Sequence, residues 1–129
     1  MNANPTHKDT DMKAVMAKAS AKILAIHDRI KEDRIEGEAA LRRLLPIAQG
    51  NTGQSERVAR LLLACYNGYR FPMRLNNMRS LDYEIMDDCL AVLRMDANAY
   101  QEVHRYFDNG GNVFEQLAKD WGFEEGGAK

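Results

Sequence analysis

Apolar residues recur along this chain at helical intervals. Met12, Met16, Ala19, Ile23, Ile26 and Ile30 follow one another at steps of four, three, four, three and four, which places their side chains in a single stripe on a helix. Ala14, Ala17, Ala21 and Ala25 add intrinsic helix propensity. The spacing predicts a helix over residues 11–35, with the Asp11 carboxylate accepting from the free amides of its first turn. Its stripe is expected to pack within the molecule, so a monomer is favoured; a homodimer through this long N-terminal helix is the alternative. Residues 1–10 are polar, contain Pro5 and show no period, the pattern of a flexible tail.

Shorter apolar faces follow. Leu41, Leu44, Leu45 and Ala48 predict a second helix over residues 38–48, separated from the first by Gly37 and bent or ended by Pro46. Thr52 is placed to cap a third, over 54–66, with Val58, Leu61, Leu62 and Cys65 inward and Asn67-Gly68 as its stop. Phe71, Met73 and Leu75 alternate with Pro72 and Arg74, a period of two that reads as an extended loop. A single turn over 76–79 precedes an Asp82-capped helix over 83–95, with Ile85, Cys89, Val92 and Leu93 buried. Tyr100, Val103 and Phe107 predict a helix over 99–107. Asn109-Gly110-Gly111 is a turn, after which Asn112 caps a last helix to Asp120, with Phe114, Leu117, Ala118 and Trp121 inward and Gly122 as its end. The expected architecture is all-α. It is a compact bundle of five to six helices with a long N-terminal helix and one short extended loop, in a single domain over residues 11–123. Residues 124–129 should fray.

Composition narrows the class. At 129 residues, 45% hydrophobic and 29% charged, the chain has enough apolar side chain for one core. No apolar run is long enough for a membrane helix, and residues 1–11 lack the apolar stretch of a secretory signal. Cys65 and Cys89 lie among apolar residues without metal or redox spacing, so they read as core filler in a reducing cytoplasm. The net charge of −1 hides a segregation: residues 1–36 carry +1, residues 37–80 carry +5 and residues 81–129 carry −7. Every base in the middle stretch is an arginine: Arg42, Arg43, Arg57, Arg60, Arg70, Arg74 and Arg79. Arginine's planar fork suits carboxylates and phosphates. Those arginines either face the acidic C-terminal part within the fold or meet an anionic partner.

Patterns for chemistry are weak. His7, His27 and His104 are isolated, and Asp87-Asp88 diverge on a helix, so no metal site is read. The loop from Gly50 to Ser55 lacks the lysine and preceding strand of a phosphate loop, and a helix cap accounts for it. His104 lies near Glu102 and Asp108 but has no nucleophile beside it. No catalytic residue and no cofactor is assigned.

Three blocks carry a resemblance. They are the run from Gly50 through Ser55 with Arg57-Val58-Ala59 and Leu61 to Asn67; Leu81-Asp82 with Asp87 to Leu93; and Tyr106-Phe107 through Gly110-Gly111 to Leu117-Ala118-Lys119-Asp120-Trp121-Gly122. Together they resemble an uncharacterised family of small helical proteins found on plasmids and integrative conjugative elements of proteobacteria. The likeness covers residues 38–122 and implies a mobile-element setting, without an activity or site residues.

The expected function is therefore that of a non-enzymatic, cytoplasmic interaction protein that binds a host or element protein. Tyr69, Arg70, Phe71, Met73 and Arg74 form the candidate protein-binding loop, because aromatic and arginine side chains are enriched at interface cores. Nucleic-acid binding is the alternative, with Arg42, Arg43, Arg57 and Arg60 on phosphates. Against it stand a pI near 6.3 and a third helix that is mostly apolar.

Overall fold

The computed structural model describes residues 7–123. Four α-helices are found: α1 (His7–Ala48), α2 (Gly53–Tyr66), α3 (Tyr83–Ala97) and α4 (Gly110–Trp121). Two short 3₁₀ turns, Leu75–Met78 and Val103–Tyr106, complete the order, and no strand occurs among the described residues. No described helix is long and apolar enough to cross a membrane. The chain divides into two compact units between Glu32 and Asp33.

The helix count is lower than the five to six expected, for two local reasons. First, the helices expected over 11–35 and 38–48 are one. Gly37 does not break α1, because it is a packing position: a Cβ there would lie 2.3 Å from Met95 Cβ and 3.0 Å from the Ala91 carbonyl. Its missing side chain lets α3 approach the α1 backbone. Pro46 falls in the last turn, where only one ladder bond is lost before the helix ends at Ala48. Second, residues 99–107 form no α-helix. Val103 and Tyr106 are the buried pair, and a step of three is the repeat of a 3₁₀ turn.

Other helix ends also depart from the sequence reading. α1 already includes residues 7–10, so Asp11 is not its cap and that part of the expected tail is helical; residues 1–6 and 124–129 lie outside the described range. Thr52 caps α2 as expected, accepting from the Ser55 amide at 3.0 Å. Asn67 ends α2 in an extended rather than left-handed conformation, its amide donating to Leu63. Asp82 makes no side-chain cap; it exchanges two hydrogen bonds with Gln54 of α2 instead. α4 begins at Gly110 behind a left-handed Asn109, three residues earlier than a cap at Asn112 would set it. Gly122 ends α4 as expected.

In the unit that starts at Asp33, the core is built from the faces read in the sequence. Leu41, Leu44 and Ala48 of α1 meet Val58, Leu61 and Leu62 of α2, Cys89 and Val92 of α3, and Phe114 and Leu117 of α4. Leu93 and Tyr100 are exceptions, both being exposed. The Trp121 indole N–H donates to the Ala48 carbonyl at 2.8 Å, satisfying one of the carbonyls that a helix end leaves open. In the unit before it, the stripe is uncovered: Met12, Met16, Ile23 and Ile26 are all at least half exposed. The expected burial of that stripe within the molecule is not seen.

Candidate functional site

The segment after α2 is positioned by one buried side chain. Phe71 is only 5% exposed and sits in the core. The turn leading to it is held by the Asn67 side chain, which accepts from the Arg70 amide, and by the Phe71 amide donating to the Asn67 carbonyl. Residues 72–74 then run extended into the first 3₁₀ turn. That turn is clamped to α2: Arg57 donates to the Asn77 carbonyl at 2.9 Å, and the Asn77 amide donates back to the Arg57 carbonyl at 2.9 Å. The same amide group reaches Met73 Sδ at 3.4 Å.

Between α2 and this returning segment lies a groove of about 390 Å³, lined by Glu56, Arg57, Arg60, Pro72, Met73, Arg74, Asn76 and Asn77. Glu56, Arg57 and Arg60 reach it because positions three and four apart share a helix face. Arg60 is paired with Glu56 at 2.9 Å and lies 4.1 Å above the Phe123 ring. The Arg74 side chain is exposed and has no hydrogen-bond or ion-pair partner among the described residues, its backbone carbonyl accepting from the Asn77 amide. Three arginines and one glutamate thus line the groove beside Pro72 and Met73; Arg57 is held by the Asn77 carbonyl and Arg60 by Glu56, which leaves Arg74 as the arginine side chain not engaged within the groove. Such a groove is suited to an anionic group attached to an apolar body.

The candidate protein-binding loop is split by this arrangement. Met73 and Arg74 line the groove. Tyr69 is exposed but is not among the lining residues. Phe71 is spent on the core, and Arg70 is engaged by Glu115 in a two-pronged ion pair. The arginines proposed for nucleic acid are split as well. Arg57 and Arg60 line the groove. Arg42 instead binds Glu38 and the Tyr106 carbonyl, and Arg43 makes two hydrogen bonds to Asp88. Two members of each candidate set therefore converge on one place. The sequence reading missed Glu56, Pro72, Asn76 and Asn77 as lining residues. Only the i, i+4 spacing of Glu56 and Arg60 was visible as a signal.

A second polar cluster was also missed. Tyr66 donates to Glu115, which also takes both prongs of Arg70. The hydrogen bonds from Arg70 and Tyr66 hold the Glu115 carboxyl down to about 2. The same Glu115 contact raises the Tyr66 phenol. His104 packs edge-on against Tyr66 at 5.1 Å between ring centroids. Both thiols are pushed up to about 12, chiefly by burial, so neither Cys65 nor Cys89 is a nucleophile at neutral pH. Among the described residues no group of three or more His, Cys, Asp or Glu is arranged to hold a metal ion.

Residues 38–122 match a family described as a family of unknown function, DUF7673. The chain belongs to this family. The match coincides with the span of the resemblance read from the sequence. No curated protein and no solved structure matches the chain. The DUF7673 block contains every residue that lines the groove, together with the Arg70–Glu115–Tyr66 cluster. The exposed stripe of residues 12–30 lies outside it.

Proposed function

We propose that this DUF7673 member is a non-enzymatic intracellular interaction protein whose groove takes an acidic segment of a partner protein. One observation carries the reading: Arg57, Arg60 and Arg74 converge on a groove with an apolar patch. A carboxylate side chain would meet the exposed Arg74 fork, in the field of Arg57 and Arg60, while a neighbouring apolar residue rests on Pro72 and Met73. The reading is supported by the two inert thiols and by His104, which has a ring partner rather than a nucleophile. The family resemblance adds a mobile-element accessory role, with a host or element protein as the partner and the cytoplasm as its place.

Nucleic acid is the second reading, because the same arginines suit phosphates. It is weakened because all four arginines of that set are engaged within the fold: Arg42 with Glu38 and the Tyr106 carbonyl, Arg43 with Asp88, Arg57 with the Asn77 carbonyl and Arg60 with Glu56. The groove then offers a short anion-binding patch rather than a basic track.

The test is a titration of the protein with labelled duplex DNA, single-stranded RNA and an Asp/Glu-rich peptide with interspersed Leu, at low and moderate salt. Peptide binding that falls at least tenfold in Arg74→Glu, with the melting temperature unchanged, supports the reading. Nucleic-acid binding that weakens steeply with salt and is lost in the same variant would replace it with the second one.

A further inference from the structure

We propose that the exposed stripe of α1 is one half of a two-stranded coiled-coil seam, and that its other half is an acid-flanked helix of a partner protein. This surface is separate from the groove and independent of what the groove binds.

The stripe has the geometry of a seam. Met12, Met16, Ala19, Ile23, Ile26 and Ile30 alternate in steps of four and three, so they occupy the a and d positions of a heptad repeat. Met12, Met16, Ile23 and Ile26 are 50 to 62% exposed. The seam spans about 28 Å at 1.5 Å per residue. Apolar side chains held this far open along one helical line gain by being covered.

The flanks decide what covers them. The e positions are Lys13, Ser20 and His27, and the g positions are Val15, Lys22 and Arg29. Between residues 12 and 30 the one acidic residue is Asp28, which falls at f, on the outside. In a parallel pair each g faces the next e of the partner, so a second copy would set Lys22 against His27. In an antiparallel pair e faces e and g faces g, and again no acid meets a base. No register of a self-pair gains an attractive flank. Arg29 contacts Glu32 at 3.5 Å with both side chains about 60% exposed, so its charge stands at the solvent-facing edge of the seam. A helix with apolar a and d positions and Glu or Asp at e and g complements both features.

An anionic lipid surface is the other cover for a basic-flanked helix. It fits less well. Membrane-surface helices present a broad face with aromatic anchors, whereas residues 12–30 contain no Phe, Tyr or Trp and carry only Val15 and Leu24 as large exposed apolar side chains outside a and d.

The experiment uses the full chain and two synthetic 21-residue helical peptides. Both carry Ile and Leu at a and d; one has Glu at every e and g, the other Lys. Binding is followed by fluorescence anisotropy at two salt concentrations. Sedimentation of the protein alone and co-sedimentation with phosphatidylglycerol vesicles run in parallel. The Glu peptide is expected to bind at least tenfold more tightly than the Lys peptide. Ile23→Asp/Ile26→Asp should abolish binding without changing the melting temperature, because both positions are exposed. Lys13→Glu/Lys22→Glu/Arg29→Glu should reverse the preference between the peptides. Equal binding of both peptides, binding of neither, self-association of the protein alone, or capture by the vesicles in place of the peptide would each overturn the proposal.

Discussion

At the scale of single residues, two positions set sharp tests. A Cβ at Gly37 would lie 2.3 Å from Met95 Cβ, so Gly37→Ala forces α1 and α3 apart. Overpacking of this kind costs about 1–3 kcal/mol, and the melting temperature should fall by several degrees. At Gly53 a Cβ would meet nothing within 4 Å, so Gly53→Ala should leave stability unchanged or slightly raised. Equal losses in the two variants would refute the packing role given to Gly37. The second position is Glu115. Its folded pKa is depressed from 4.5 to about 2, so the carboxylate form is the one the fold prefers. The stability this provides is fully present above about pH 4.5 and is lost as the pH falls toward about 2. Melting curves between pH 7 and pH 2.5 should therefore fall more steeply in the wild type than in Arg70→Met, which is less stable at neutral pH. Parallel curves would mean that Arg70 does not hold the Glu115 charge.

At the scale of elements, caps and termini are where sequence and structure part most often. The heptad stripe, the core faces and the Thr52 cap were legible, because each depends on spacing along one stretch of chain. Thr52→Ala should cost about 1 kcal/mol, with Thr52→Ser restoring it; thermal unfolding of the two variants checks this. Asp82 shows why other caps were not legible. Its carboxylate had a free first turn within reach, yet it pairs with Gln54, a residue 28 positions away. Gly37 was read as a break because intrinsic propensity says so, while the deciding fact is how closely Met95 approaches. The 99–107 segment was read from a three- and four-residue spacing that a 3₁₀ turn satisfies equally well over one step. Behind that turn, a Cβ at Gly110 would overlap the His104 carbonyl at 1.6 Å. Gly110→Ala should therefore separate α4 from the Val103–Tyr106 turn, seen as loss of cooperative unfolding.

At the scale of the whole molecule, charge segregation along the chain was a guide to internal pairing for two of the seven middle arginines, while Arg42 and Arg60 pair with Glu38 and Glu56 of the same stretch. Arg43 with Asp88 and Arg70 with Glu115 each join the basic middle to the acidic C-terminal part. The same property hid the groove, because a count of arginines does not say which are already engaged. Arg57 and Asn77 are twenty residues apart, and their reciprocal hydrogen bonds join two sides of a chain reversal that has Phe71 in the core. The groove also has neighbours of a different kind. Arg60 lies over the Phe123 ring, and Phe123 stacks on Trp121 at 6.0 Å. Trp121 is the one tryptophan in the sequence. An anion that draws Arg60 off Phe123 disturbs the ring stack beside that indole, so occupancy should register as a change in the protein's own ultraviolet emission, with no dye attached.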